Sequence, residues 1–490
     1  MRIGKASPYL LITLLGLVVY ARTISFDFTY LDDGRLIVEN RQFLKNPSNI
    51  ITAFRQDVLA GPSGAGIYYR PLLTLSFMLD AQLGGASAAI YHLTNIILHL
   101  LASCLVFLFF KKIGYREDLA LSFSLIFAIH PVLTQAVAWI PGRNDVLLAI
   151  FVLLSSISIL NSGYFRHIFF LLAALFTKES AVFLPLVCFI YLHLVKREKP
   201  FSARANYLAL GWLGCVIFWI IVRKIALPNP AAINMFSVAG HVAQNLPAII
   251  QLVGKIVFPV NLSVLPIMED TTFLYGFLAI ALVTAAFLFS KNIRYNFLAF
   301  GISWFVFFLL PTFVRLDPSA AVDLMEHRLY LPIIGFMIII LETGFVKKLD
   351  IAKTRWQQVS VALCVAVFCI ITFRYSDNFK DRTVFWQGAA RTSPHSIVSH
   401  TNLGCVYLSD GLFDKAVPEF KKVIAMAPGR AFGYNYLGSC YMEKGMFKEA
   451  EAEFRKSLAI DPLSGDVGHN LANAYFKQGK LKEAGLLLRK

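Results

Sequence analysis

Asp32 and Asp33 stand side by side in Tyr30-Leu31-Asp32-Asp33, about a dozen residues beyond the first apolar run. Adjacent carboxylates repel, which suits one of them to act as a general base, or the two together to hold a divalent cation. Alone, the same residues also read as a solvated turn before Gly34. Other polar residues recur where a bilayer tolerates few of them. Arg70 lies in Tyr69-Arg70-Pro71, and His92, Asn95 and His99 are spaced i, i+3 and i+7, on one helix face. His130-Pro131 and Gln135 precede Pro141-Gly142-Arg143-Asn144-Asp145, and Lys178-Glu179 divides an apolar stretch into two short pieces. Asp323, Glu326, His327 and Arg328 precede Leu329-Tyr330-Leu331-Pro332. Each group has a plain reading: interhelical hydrogen bonds, a lipid headgroup contact at Arg143, mutual neutralisation of Lys178 and Glu179. Together they suit a substrate with a phosphate and an isoprenoid tail. The tail stays in lipid, Arg and Lys neutralise the phosphate leaving group, and a carboxylate takes the proton of an attacking hydroxyl.

The elements that must position these residues are mostly apolar. With 57% hydrophobic and 16% charged residues and a mean hydropathy of +0.62, the chain requires a bilayer. The first run, 9–20, lacks an A-x-A-like cleavage site and reads as a retained span. Spans are predicted near 9–21, 90–110, 118–139, 145–161, 166–177, 180–195, 205–223, 272–290, 296–312, 329–346 and 356–373, eleven in all. With the N-terminus inside, the cytoplasmic loops carry Lys111, Lys112, Arg116, Arg166, Lys196, Arg197, Lys199, Arg204, Lys291, Arg294, Lys347, Lys348, Lys353 and Arg355. A crossing at 240–258 would place Lys291 and Arg294 outside, so that segment is predicted to be re-entrant or interfacial. An odd number of spans puts the first long loop, 22–89, and everything after the last span on the extracytoplasmic side.

The net charge of +16 does not imply nucleic acid. From Arg374 onward 17 basic residues face 12 acidic ones, so most of the excess, +11, belongs to the membrane part, where it marks topology. The seven cysteines form neither a disulfide framework nor a zinc pattern.

After the last span the chain repeats every 34 residues. Leu403, Leu437 and Leu471 are in register, as are Tyr407, Tyr441 and Tyr475; Gly411, Gly445 and Gly479; and Ala416, Ala450 and Ala484. This is the tetratricopeptide pattern of paired helices. Its repeats run about 398–431, 432–465 and 466–490, and the period extends back to Trp386 and Pro394, so 376–394 reads as a half-repeat leaving the last span directly. The predicted domains are therefore 1–375 and 376–490. Lys490 falls inside the second helix of a pair, so the apolar face at Leu486-Leu487-Leu488 is expected to be covered by a partner, a second copy or the membrane. Asn402, Asn435 and Asn470 are the candidate ligand contacts of the repeats.

The succession Leu31-Asp32-Asp33, Tyr69-Arg70-Pro71, His92-x-x-Asn95-x-x-x-His99, His130-Pro131-Val132-x-Thr134-Gln135-Ala136-Val137, Gly142-Arg143-x-Asp145, Lys178-Glu179 and Glu326-x-Arg328-Leu329-Tyr330-Leu331-Pro332, followed by the repeats, resembles the transmembrane and tetratricopeptide-repeat-containing O-mannosyltransferases. These are polytopic glycosyltransferases of the GT-C type. The resemblance implies an all-α fold, a GT-C-like bundle of about eleven spans followed by an α-solenoid. It implies inverting transfer of a sugar, mannose in the eukaryotic relatives, from a polyprenyl-phosphate carrier to Ser or Thr of an extracytoplasmic acceptor protein held by the repeats. Asp32 becomes the catalytic base and Asp33 its partner. Arg143, Lys178, His327 and Arg328 become the carrier-phosphate contacts, with Arg70, His92, His130, Glu179 and Glu326 in support. No metal ligand is assigned, and the carboxylate pair is compatible with metal-assisted or metal-free catalysis. Gln135 stands where many relatives carry an acid, His327 interrupts Glu-x-Arg, and only about three repeats are present. The short form looks bacterial, so a bacterial inner membrane is the expected location.

Two other functions fit parts of the sequence. A non-catalytic scaffold would use the repeats to assemble an envelope complex, although an anchor needs one span rather than eleven. A lipid or glycan transporter would use the intramembrane polar residues as a pathway, but the hydropathy shows no inverted repeat.

Overall fold

The structure is a computed structural model that describes residues 7–59, 68–200, 202–228, 240, 242–314 and 325–487; Asp323 and Leu488 lie outside them. Every regular element among the described residues is helical. Two compact units divide the chain: 1–262 with 272–381, and 263–271 with 382–490.

In the first unit each predicted span falls on helix. Six helices are long and apolar enough to cross a membrane: Ser7–Ser25, Ala88–Lys112, Ile140–Leu160, Ala203–Ala226, Tyr295–Phe313 and Arg355–Phe379. A seventh is Glu117–Ile129 with Pro131–Ala138, bent by 48°. The bend has a chemical cause, since Pro131 has no N–H to continue the ladder. His130 then caps the new turn, its Nδ1 accepting from the Val132 N–H at 3.3 Å. The other four predicted spans are shorter apolar helices, Tyr164–Thr177, Glu179–Val195, Leu274–Leu288 and Pro332–Leu341. Length and composition by themselves therefore support six or seven crossings among the described residues, where the apolar runs predict eleven. Val242–Val257 is likewise a short apolar helix.

Burial sorts these helices into layers. Ile140–Leu160 is the central one, with 83% of its apolar window buried, whereas Ala203–Ala226 and Arg355–Phe379 bury 22% and 17% and leave Leu210, Ile225 and Leu363 exposed for lipid. The first loop is folded, not extended. Phe28, Leu36, Leu44, Val58 and Phe77 form a core that continues into Tyr91, Ile140 and Leu147 of the bundle. The acidic pair is thus seated on a hydrophobic layer continuous with the central helix.

The second unit contains the helices Arg382–Thr392, Ile397–Ser409, Phe413–Met426, Ala431–Glu443, Phe447–Ile460, Gly465–Lys477 and Leu481–Leu487. The in-register residues of the sequence are its packing residues: Leu403, Leu437 and Leu471 are each 4% exposed, and Ala416, Ala450 and Phe454 are fully buried. Gly411, Gly445 and Gly479 take φ of +72°, +74° and +77° where each first helix ends, a left-handed turn that a Cβ would strain. Trp386, 2% exposed, lies in the first of these helices, which begins at Arg382, whereas the sequence places the boundary at 375/376. The segment Ser263–Thr271, which the sequence shows only as a loop between apolar runs, belongs to this unit. Ser393 Oγ donates to the Leu265 carbonyl at 2.7 Å, and Asp270 accepts from the His395 N–H at 3.0 Å.

Candidate active site

The acidic pair is split by burial. Asp33 is 1% exposed and accepts from the Thr29 N–H at 2.7 Å and from the Thr29 hydroxyl at 3.1 Å. Burial pushes its carboxyl up to about 6, with the Thr29 donors holding it partly down and the Asp32 charge adding to the rise. Asp32 faces outward, and its carbonyl accepts from the Leu36 N–H at 2.9 Å, starting the helical turn Gly34–Val38. Just before the pair, Tyr30 has φ +56°, an uncommon conformation for a residue with a bulky side chain and the kind of strain found at ligand sites. The two carboxylates thus have different surroundings: Asp33 is buried and anchors the turn, and Asp32 is exposed.

The cations gather elsewhere in the unit, from three separate chain segments. Lys178 has an extended backbone between the two short apolar helices, and its Nζ meets Asp145 Oδ1 at 2.7 Å. His327 Nε2 approaches the other oxygen of Asp145 at 3.8 Å, its ring 5.3 Å from Trp139. Arg70 pairs with Glu179 at 3.1 Å and lies over the Tyr68 ring. The charges of Arg70 and Arg328 both bear on Lys178, and those of Lys178, Arg328 and Arg70 bear on His327. Arg328 donates to the Thr312 carbonyl at 3.1 Å. Arg70, Lys178 and Arg328 against Asp145 and Glu179 leave one net positive charge when His327 is neutral. Arg70, Lys178, Glu179 and Arg328 are each partly exposed, so the cluster opens outward.

Other sequence candidates are turned inward. Arg143 is fully buried and paired at 2.6 Å with Asp80, also fully buried. Its Nε donates to Asn95 Oδ1 at 2.6 Å and one terminal nitrogen to the Tyr91 carbonyl at 2.8 Å. That guanidinium ties the first-loop helix Pro71–Gly84 to two bundle helices. His92 packs edge-on to Phe26, His99 joins the Tyr330 hydroxyl to the Ala128 carbonyl at 2.7 and 2.8 Å, and His130 Nε2 meets the Ile256 carbonyl at 3.0 Å. Gln135 accepts from the His327 N–H at 3.1 Å. Glu326 is fully buried, with Lys255 at 2.7 Å and the Tyr375 hydroxyl at 2.9 Å.

Sequence reasoning passed over Asp145, Asp80 and Lys255. Asp145 was visible beside Arg143; what it lacked was any sign that Lys178 and His327 converge on it. The only sequence signal of Lys255 is a lone cation in an otherwise apolar run. Among the described residues no three His, Cys, Asp or Glu side chains gather as metal ligands. In the repeats, Asn470 Nδ2 donates to Asn435 Oδ1 at 3.0 Å, linking successive first helices, while Asn402 Nδ2 turns back to the Val398 carbonyl at 2.9 Å.

The tetratricopeptide repeat family matches residues 397–430 and 431–464. Over most of the chain, a protein O-mannosyl-transferase of Caenorhabditis elegans is 26% identical over 442 residues, covering 86% of this chain and 62% of that protein. The chain resembles the protein O-mannosyl-transferases. Protein O-mannosyl-transferase TMTC2 of Homo sapiens is 42% identical over 147 residues, 29% of this chain and 17% of that protein. Protein O-mannosyl-transferase Tmtc1 of Drosophila melanogaster is 34% identical over 189 residues, 36% of this chain and 21% of that protein. The chain thus spans under two thirds of the length of these relatives. With its apolar helices, the resemblance makes it a multi-pass membrane protein carrying tetratricopeptide repeats.

Proposed function

We propose that this chain is an inverting glycosyltransferase that moves a sugar, mannose by analogy with its relatives, from a polyprenyl-phosphate carrier to a Ser or Thr hydroxyl of an extracytoplasmic protein. The observation that carries the reading is the meeting of Lys178 and His327 on Asp145, with Arg70 on Glu179 beside them and the charge of Arg328 bearing on both Lys178 and His327. A carrier-linked sugar is a phosphodiester with one negative charge; the leaving polyprenyl phosphate has two. A cluster with a small positive surplus binds the first and favours the second, so it stabilises the charge that develops as the bond breaks.

In the reaction the acceptor oxygen attacks the anomeric carbon from the face opposite the phosphate. The carbon–oxygen bond to phosphate breaks, its electron pair leaving on the phosphate, and the hydroxyl proton passes to the Asp32 carboxylate. Asp33 holds the turn that aims Asp32. Arg143, through Asp80 and Asn95, holds the first loop on the bundle and does not touch the donor. A divalent cation is compatible with the outward face of Asp32; loss of transfer on chelation, restored by magnesium, would add it to the mechanism.

The two ends of Ala88–Lys112 support the sidedness. Its first turn follows the folded first loop, and its last turn carries Lys111 and Lys112, about 37 Å away along a 25-residue helix. At the basic end, Arg294 and Lys347 converge on the buried Glu342. At the other end the Asp27 N–H donates to the Lys380 carbonyl at 2.8 Å, so the last span ends beside the start of the first loop. With basic loops inside, the first loop and the repeats share the outer compartment, which in a bacterium is the periplasm.

Purified protein given polyprenyl-phosphate-linked radiolabelled sugar and an extract of extracytoplasmic proteins should label protein, and Asp32→Asn should abolish the label. Persistence of label in that variant removes the base assignment. Label on lipid or glycan alone rejects the protein acceptor.

A further inference from the structure

Lys255 lies on the short helix Ala248–Val257, which the sequence marks only as an apolar segment of uncertain depth. It is 2% exposed, and its Nζ is 2.7 Å from Glu326 Oε1. Charges buried this deeply among apolar helices persist only when paired, and they mark places where geometry matters. The second oxygen of Glu326 accepts from the Tyr375 hydroxyl at 2.9 Å. Glu326 is fully buried with both oxygens engaged, so it is placed to hold the turn and not to meet a substrate. It opens the turn Glu326–Leu329, whose next two residues are His327 and Arg328.

That turn is held on several sides. Lys255 and Tyr375 hold Glu326, Gln135 accepts from the His327 N–H, and Arg328 reaches the Thr312 carbonyl. The helix bearing Lys255 is itself wedged in place. A Cβ on Gly254 would come within 2.6 Å of the Gly276 backbone nitrogen, and one on Gly276 within 2.1 Å of the Ile250 carbonyl oxygen, so only two glycines allow this approach. The carbonyl of Ile256, the neighbour of Lys255, accepts from His130 at the bend before Gln135. One short helix thus supports both the bend that supplies Gln135 and the turn that supplies His327 and Arg328.

We propose that Lys255 is a positioning residue for the phosphate site: through Glu326 it fixes the turn that aims Arg328 and His327 at the carrier phosphate. The proposal rests on the transferase reading above. Lys255 touches no substrate; its charge acts by locking a buried carboxylate, and with it the backbone from which two phosphate-facing side chains project. Displacing such a backbone by about an ångström costs on the order of tenfold to a hundredfold in rate or affinity.

The test uses the full chain in lipid nanodiscs with K255M, K255R and the paired variant K255M/E326Q. Inhibition of transfer by polyprenyl phosphate and by the uncharged polyprenol is measured alongside KM for the donor. For K255M the expected result is a roughly tenfold rise in donor KM and in the polyprenyl-phosphate inhibition constant, with the polyprenol constant unchanged and K255R close to wild type. Because K255M leaves a buried carboxylate unpaired and can fail to fold, K255M/E326Q removes both charges. It should run as a monodisperse protein yet keep the selective loss of phosphate affinity. Wild-type phosphate affinity in K255M/E326Q, or equal loss for phosphate and polyprenol in K255M, overturns the positioning role while leaving the transferase intact. Absence of transfer and of carrier binding in the wild-type protein instead overturns the transferase reading.

Discussion

Replacing Asp33 by Asn should stabilise the protein at neutral pH and leave transfer largely intact, although its neighbour is the proposed base. Asp33 is 1% exposed, and burial raises its carboxyl to about 6. Against an unfolded value of about 4, that rise corresponds to roughly 3 kcal/mol between the two protonation states. The sign follows from linkage. Between about pH 4 and 6 the folded state binds more protons than the unfolded one, so stability is greatest below 4 and falls as pH rises through 6. An Asn at this position keeps an oxygen to accept the Thr29 N–H and carries no charge to desolvate. Relative to Asp33→Asn, the wild-type protein should lose stability across that window, by up to about 3 kcal/mol above pH 6. Thermal unfolding of the full chain in nanodiscs, scanned from pH 4 to 8, measures it, with transfer assayed on the same samples. A variant less stable than wild type by the same margin at every pH would refute the reasoning, because the carboxylate would then be needed for a contact other than the one to Thr29. Loss of transfer as complete as in Asp32→Asn would move catalysis to the buried carboxylate.

Arg143→Gln should destabilise the protein by about 3–5 kcal/mol, since Asp80 would remain buried without its partner; D80N/R143Q should recover much of this, measured by thermal unfolding. Lys178→Met should raise the donor KM roughly tenfold and also lower the melting temperature, because it leaves the buried Asp145 beside only a neutral His327; an unchanged KM would remove Lys178 from the phosphate site. Gly445→Ala, at φ +74°, should cost about 1–2 kcal/mol, read as reduced protease resistance of the repeat unit. Alkaline phosphatase fused after Lys490 should be active only outside the cytoplasm, and activity inside would reverse the assigned sidedness.

The repeat unit and the helical class were legible because both are written in local periodicity. A 34-residue repeat of Leu, Gly, Tyr and Ala dictates helix pairs, and left-handed turns at Gly411, Gly445 and Gly479 follow from residue type. Helix positions in the membrane unit were legible for the same reason, since backbone groups in lipid must be satisfied within the segment. Crossing number was less so: apolarity marks burial in protein and burial in lipid alike, and short helices such as Pro332–Leu341 satisfy the pattern without spanning length.

The residue types of the site, carboxylates early and basic groups later, were present in the sequence with a suitable chemistry. Their surroundings were decided by the tertiary structure, and a charge's role depends on what surrounds it. Arg143 and Lys178 look alike as isolated cations in an apolar chain. Packing buries the first against Asp80 and brings the second, with His327, to Asp145. Asp32 and Asp33 are neighbours of one residue type, and a single turn at Tyr30 and Thr29 sends one outward and the other into the core. Lys255 could not be placed at all from its own segment, because its partner Glu326 lies 71 residues away. Desolvation and pairing act through space between residues distant in the chain, and only the folded structure states those distances.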